Sequence, residues 1–216
     1  MENNTETIQE AIYFSSPVWV DYRPEFLKDC INDTEFYIRE ARTNNKKIIK
    51  DTNDFGIAHH SAPMQNNPKF SNIMGYIAQR SWEFLDAQGF DLNKHNLVFN
   101  DFWVQEFSKN GGGHHDTHVH YNNHVSGFYF LKCSEKTSFP IFHDPRPGAV
   151  MTKLPLKNEF EISHGSEAIN FKPTPGTMIF FNGYMPHQFA VDHGKEPFRF
   201  IHWNIQAISN MICKPQ

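Results

Sequence analysis

Residues 110–131 read NGGGHHDTHVHYNNHVSGFYFL: three glycines, then five histidines with an aspartate among them, then an apolar aromatic run. Neutral imidazole is a common protein ligand for Zn, Fe, Cu and Ni, so such density asks for a metal. In an extended strand, residues two apart project from one face, which lets His118 and His120 reach a single ion, with Asp116 sharing that face. Asp116 and His120 are then about 13 Å apart and cannot both be ligands unless the strand bends. The run from Val125 to Leu131 that follows reads as a buried strand.

Outward from this stretch, residues 96–208 read as strand after strand: LVFNDFWVQEF, THVH, VSGFYFLK, FPIFH, EFEIS, AINFK, TMIFF, HQFAV and FRFIHWNIQAI. Turn clusters such as KNGGG, HDPRPG, PTPG and DHGK separate them at the spacing of an all-β sandwich or barrel. Strand and helix do not alternate, which argues against a parallel α/β sheet and for an antiparallel jelly roll, cupin-like, in a mainly β, α+β chain. Upstream, the spacing predicts a helix over 24–41 and a second from Pro68 to about Gly89, bracing one outer face, with no further helix after it. AIYFSSPVWV reads as an edge strand broken at Pro17, and residues 43–67 as an irregular connection with His59 and His60 at the surface. One domain over 1–216 is expected, with 1–95 as support and 96–210 as the β core.

The second informative stretch is PGTMIFFNGYMPHQFAVDHGKEPFRFIHWNI, residues 175–205. A hairpin symmetric about His193 would pair His187 with Arg199, their Cβ atoms about 4.5–5.5 Å apart on one face. Arg199 shares its face with Ile201, Trp203 and Ile205, which suggests the barrel interior, while His202, Asn204 and Gln206 point the other way. A buried arginine needs an anion: the far carboxylate of a ligand chelating a metal at His187, or a protein carboxylate such as Asp144 or Glu196.

Lys+Arg at 20 against Asp+Glu at 24 leaves a mildly acidic chain without a basic stripe, so nucleic acid is not a favoured partner. Cys30, Cys133 and Cys213 are odd in number and far apart, which excludes a disulfide framework and a cysteine zinc site and suits a reducing cytoplasm, that of a host if the chain is viral. The first residues lack a secretory pattern, and no apolar run reaches 18 residues, so a membrane is not expected either. Oligomeric state is not legible.

HVHYNNHVSGFYFL followed by DPRPG, PGTMIFF, GYMPH and FRFIHWN resembles the 2-oxoglutarate- and Fe(II)-dependent oxygenases of bacteria and bacteriophages that carry a G-x5-H-x-H-x5-SG-x-Y-Y motif, distant relatives of prolyl hydroxylases. The resemblance covers most of 96–208 and, more weakly, FSSPVWV. It implies a double-stranded β-helix, Fe(II) held by His118, His120 and His187, and 2-oxoglutarate anchored by Arg199, with Tyr129 and Asn204 as further cofactor contacts. It also implies O2-dependent hydroxylation of a C–H bond in a peptidyl side chain or a small molecule. Most of the wider superfamily carries His-x-Asp where this chain has His118-Val119-His120. A literal His-x-Asp does occur at His114 and Asp116, the alternative register for the ligands. Phe128, Tyr129, Phe130, Phe180 and Phe181 are candidates for the dry wall, and residues 147–167, with His164, for a lid. Two other classes use the same architecture: a cupin-like zinc or manganese hydrolase or isomerase, and a non-catalytic binding or virion-associated jelly roll.

Overall fold

Phenylalanine, with 21 residues, is much the commonest aromatic of this chain, and where phenylalanines alternate along strands they build a core on both faces of one sheet. The computed structural model describes residues 13–48, 53–151 and 154–210. Its strands are β1 (Val18–Tyr22), β2 (Ala58–His60), β3 (His95–Phe107), β4 (His115–His118), β5 (Val125–Lys132), β6 (Pro140–His143), β7 (Ala168–Asn170), β8 (Thr177–Asn182), β9 (His187–Phe189) and β10 (Arg199–Ser209). They form an antiparallel six-stranded sheet, β1-β8-β5-β10-β3-β2, and a four-stranded sheet, β4-β9-β6-β7. This is the jelly roll expected, a double-stranded β-helix, and VSGFYFLK is a strand over all eight residues read from the sequence.

Between the two sheets pack Phe128, Phe130, Phe142, Phe181, Phe189 and Phe200. The other face of the large sheet, with Val104, Tyr129, Phe180, Ile201 and Trp203, is covered by α1 (Leu27–Ile48) and α2 (Ser71–Ala87) through Ile38, Ile73 and Ile77. Each helix follows a single 3-10 turn opened by a proline, Pro24–Phe26 and Pro68–Phe70. The Asn67 side chain caps the second by accepting from Lys69 N at 3.1 Å. Gly89, with φ +87°, lies just beyond α2, in a backbone conformation that favours glycine.

The structure corrects several expectations. α1 runs on to Ile48, because the polar residues beyond Ala41 continue the helix into solvent. The connection that follows is not all irregular: β2 adds to the edge of β3, burying His59, which meets Asp54 and Asn45, while His60 stays exposed. EFEIS is not a strand, and a short α3 (Pro147–Met151) follows the proline pair. β1 is an edge strand beginning after Pro17, as expected. Residues 11 and 12 of the stretch read with it, and Cys213, lie outside the described residues.

The hairpin about His193 does not form. β9 belongs to the small sheet, against β4 and β6, and β10 to the large one, against β3 and β5. The DHGK turn instead docks on the glycine turn 111–113: Gly112 N donates to Asp192 O and Asp192 N to Gly113 O, both at 2.8 Å. A Cβ on Gly194 would overlap the Gly111 backbone nitrogen, so the two turns approach this closely only as glycines.

Candidate metal centre

His118 closes β4 and lies directly opposite His187, the first residue of β9. His120 stands two residues beyond the strand, where its backbone N–H donates to Gly183 O at 2.8 Å. The chain bends there, and the three imidazoles converge: ring centroids are 4.4 Å apart for His118 and His187, 5.1 Å for His118 and His120, and 5.0 Å for His120 and His187. One nitrogen from each lies within 4.8 Å of the others, a spacing that suits a shared ion.

The remaining nitrogens are already used. His118 Nδ1 lies 2.7 Å from Asp116 O, and His187 Nδ1 lies 2.9 Å from Met185 O. A carbonyl only accepts, so both carry the proton on Nδ1 and leave the Nε2 lone pair free. Asn204 Nδ2 is 3.2 Å from His120 Nδ1; the same amide bonds Asp101 Oδ2 at 2.8 Å and Ser126 Oγ at 2.6 Å. The Nε2 atoms of His120 and His187 are buried without a hydrogen-bond partner. Burial pushes the His187 imidazole down to about 3 and that of His120 to about 4, so both are neutral, as ligands must be. Buried orphan nitrogens on neutral rings fit a bound metal.

Around the triad, Phe181 and Phe128 pack against His187 at 4.6 and 5.6 Å, and His202 lies 4.6 Å from His120 and from Trp103. His115 stands 5.9 Å from His118, its Nε2 2.6 Å from the Gln105 amide, and burial lowers it to about 4. Gln105, His115 and His202 were not singled out from sequence. The period-two grouping of His202 with Asn204 was the signal that could have found His202.

Arg199 does not join this set. It faces the helices, where Nε donates to Glu106 Oε2 at 2.6 Å and Nη1 to Glu35 Oε2 at 2.9 Å. The residues sharing its face, Ile201, Trp203 and Ile205, belong to the helix-side core, and it is Phe200, His202 and Asn204 that turn inward. The grouping of residues by face was right and its polarity was inverted. Because β10 is buried on both faces as far as Ile205, alternation could not say which face was which. Tyr129 is likewise on the helix side, its hydroxyl donating to Arg23 O at 2.6 Å, and Phe180 packs there too. Of the expected wall, Phe128, Phe130 and Phe181 are interior.

His114 is exposed, and Asp116 more so, its side chain 97% accessible and 3.7 Å from His114 Nε2, so the His-x-Asp register does not assemble with His187. His124 is exposed and accepts from Ala207 N, and His164 is exposed in the segment after α3. Asp144 pairs with Arg146 through two hydrogen bonds, and Glu196 with Lys136, so neither serves Arg199.

A jelly roll that brings three imidazoles together from two of its strands and the bend beyond one of them, two of them held neutral by burial, has the double-stranded β-helix fold with a cluster suited to a metal ion. Residues 101–201 match the family model described as "Putative 2OG-Fe(II) oxygenase". The fold is shared with a Pseudomonas putida prolyl-4-hydroxylase (10% identity, 89% of this chain and 94% of that one, TM-score 0.52). It is shared also with the epimerase SnoN in complex with Fe3+, alpha ketoglutarate and nogalamycin RO (10%, 90% and 81%, TM-score 0.51). A third likeness is a Trichoplax adhaerens prolyl hydroxylase in complex with a hypoxia inducible factor oxygen degradation domain peptide fragment (7%, 93% and 89%, TM-score 0.51). No curated protein matches the sequence. Over residues 101–201 the chain is thus similar to the family its motifs implied, the 2-oxoglutarate- and Fe(II)-dependent oxygenases, and it shares the fold of a protein solved with Fe3+ and alpha ketoglutarate.

The residues present fit the metal. They do not fit the far carboxylate of 2-oxoglutarate, because Arg199 is the one buried lysine or arginine among the described residues and it lies on the opposite face of the sheet.

Proposed function

We propose that this chain is an Fe(II)-dependent dioxygenase that hydroxylates a C–H bond, with His118, His120 and His187 as its metal ligands. The observation that carries the reading is the pair of carbonyl-tied Nδ1 atoms at His118 and His187, which leaves Nε2 for a metal in a cluster where one nitrogen from each of the three rings lies within 4.8 Å of the others. Fe(II) with a chelating 2-oxo acid supplies the oxidising power; the protein supplies open positions, orientation and a dry wall. Asn204 fixes the His120 ring, and Phe128, Phe181 and Phe142 pack around His187, at 5.6, 4.6 and 5.9 Å, and keep water from it. O2 would take the remaining position, with the substrate C–H bond held beside the metal rather than on it.

A peptidyl side chain is the substrate class we favour over a free small molecule, supported by the fold shared with prolyl hydroxylases, one of them in complex with a peptide. Residues 147–167 are proposed as the lid, and a cytoplasmic site of action completes the reading. Cys30 and Cys133 are free thiols, and no helix of the described residues is long and apolar enough to cross a membrane. A cupin-like hydrolase would use the same histidines, but the family match speaks for the oxygenase.

The test is anaerobic titration with Fe(II) and 2-oxoglutarate, followed by exposure to air with a proline-containing peptide library. A weak visible charge-transfer band, succinate formation and a 16-dalton mass gain are expected. Absence of both band and succinate would overturn the assignment.

A further inference from the structure

The far end of a chelated 2-oxo acid must lie against the interior walls of the jelly roll, and those walls carry no lysine or arginine among the described residues. Toward β9 and β10 the rings beside the triad are Phe128, Phe189 and Phe200, with Phe189 and Phe200 stacked at 4.7 Å. Toward β3 they are Trp103 and His202, whose single N–H is the one unpartnered donor of that wall among the described residues. The interior amides are committed, Gln105 to His115 and Asn204 to Asp101, Ser126 and His120.

A carboxylate taken out of water needs a cation or several free donors, and a buried one without them is costly. Arg199 cannot supply the cation by a change of rotamer. It opens β10 at a register shift against β5, its backbone aims it at the helices, and Glu106 and Glu35 hold its Nε and Nη1 there. Turning it inside would strand Glu106, itself buried, without its partner.

We propose that this site takes its 2-oxo acid by the chelating end alone, so that the distal carboxylate adds nothing and 2-oxo acids with neutral or apolar tails bind as well as 2-oxoglutarate. The co-substrate class is then monocarboxylic 2-oxo acids with aliphatic or aromatic tails, recognised by the metal at one end and by phenylalanine faces at the other. This rests on the metal-centre reading above and deepens it.

The experiment uses the whole chain loaded with Co(II) under argon, so that no turnover occurs. Cobalt binding is read from its visible bands, and the dissociation constants of 2-oxoglutarate and 2-oxovalerate are then measured by calorimetry. 2-Oxovalerate keeps the chelating end and chain length and replaces the far carboxylate by a methyl group. The expected result is a preference for 2-oxoglutarate of less than about tenfold, or a preference for 2-oxovalerate. A charged hydrogen-bonded anchor contributes roughly 1.5–3 kcal/mol, which is more than tenfold. A preference for 2-oxoglutarate of tenfold or more therefore overturns the proposal while leaving the metal centre standing, and failure to bind cobalt removes both.

Discussion

Arg199 and Glu106 are direct partners in the β10–β3 ladder, and their side chains, both almost fully buried, meet at 2.6 Å. Arg42 of α1 also bonds Glu106, and Glu35 of α1 bonds Arg199, so the pair ties the first helix to the centre of the large sheet. Removing one member leaves an uncompensated buried charge. Arg199→Met is expected to cost about 3–5 kcal/mol in denaturant unfolding while the folded protein keeps its metal affinity. Loss of metal binding without loss of stability would return Arg199 to the site.

The ligand assignment predicts an order of damage. His187→Ala and His118→Ala should abolish stoichiometric Fe(II) or Co(II) binding and His120→Ala should follow, each far beyond the 10- to 100-fold typical of outer-shell changes. Asp116→Ala, at a solvent-exposed position, should change neither affinity nor stability by more than about 0.5 kcal/mol. If Asp116→Ala empties the site and His120→Ala does not, the ligands are His114, Asp116 and His187.

Asn204 touches His120 and takes a hydrogen bond from Ser126, so it orients a ligand without being one. Asn204→Ala is expected to weaken metal binding by about 10- to 100-fold. Ser126→Ala should act in the same direction more mildly. Metal titrations that leave both variants at wild-type affinity would show that the network is structural only.

Gly127 follows Ser126 in β5, and a Cβ there would overlap Trp203 Cζ2 and stand 2.5 Å from Ile179 O. Gly127→Ala should therefore destabilise the fold by about 1–3 kcal/mol or more, through overpacking between the sheet and the Trp203 ring. A thermal melt at wild-type temperature would show that the indole yields freely.

In the metal-free protein, burial holds His115 and His120 at about 4 and His187 at about 3, below the 6.5 of an unburied histidine. As pH falls through 6.5 the unfolded chain takes up protons that the folded one refuses. Stability is thus full above that value and is lost progressively towards pH 4. Melts between pH 7.5 and 5, mostly above the carboxylate range, should show a falling Tm. A Tm that rises over that interval contradicts neutral, buried imidazoles.

Most strands were legible because they are rich in β-branched and aromatic residues and bounded by glycine and proline turns, which the three residues of β2, Ala58–His60, are not. Val125–Lys132 could hardly be anything else. His118 and His120 were legible because their spacing, their glycine-rich approach and the Ser126-Gly127 strand after them are all local. Pro24 and Pro68 likewise marked where the two helical segments open. Local rules failed at Ala41, where nothing in the next turn forbids the helix, and at EFEIS, whose alternation finds no partner strand.

What the sequence determined by itself is therefore the long strands, the two long helices and the residues competent to bind a metal, since these follow from period, propensity and ligand chemistry along a few adjacent positions. The tertiary structure alone decided that β9 and β10 part company into different sheets, because pairing is settled by which strands a jelly roll lays side by side. It decided also that Arg199 faces the helices and His202 the interior. Along a strand buried on both faces, alternation sorts residues into two groups, and only the packing of α1 and α2 over one of them tells inside from outside.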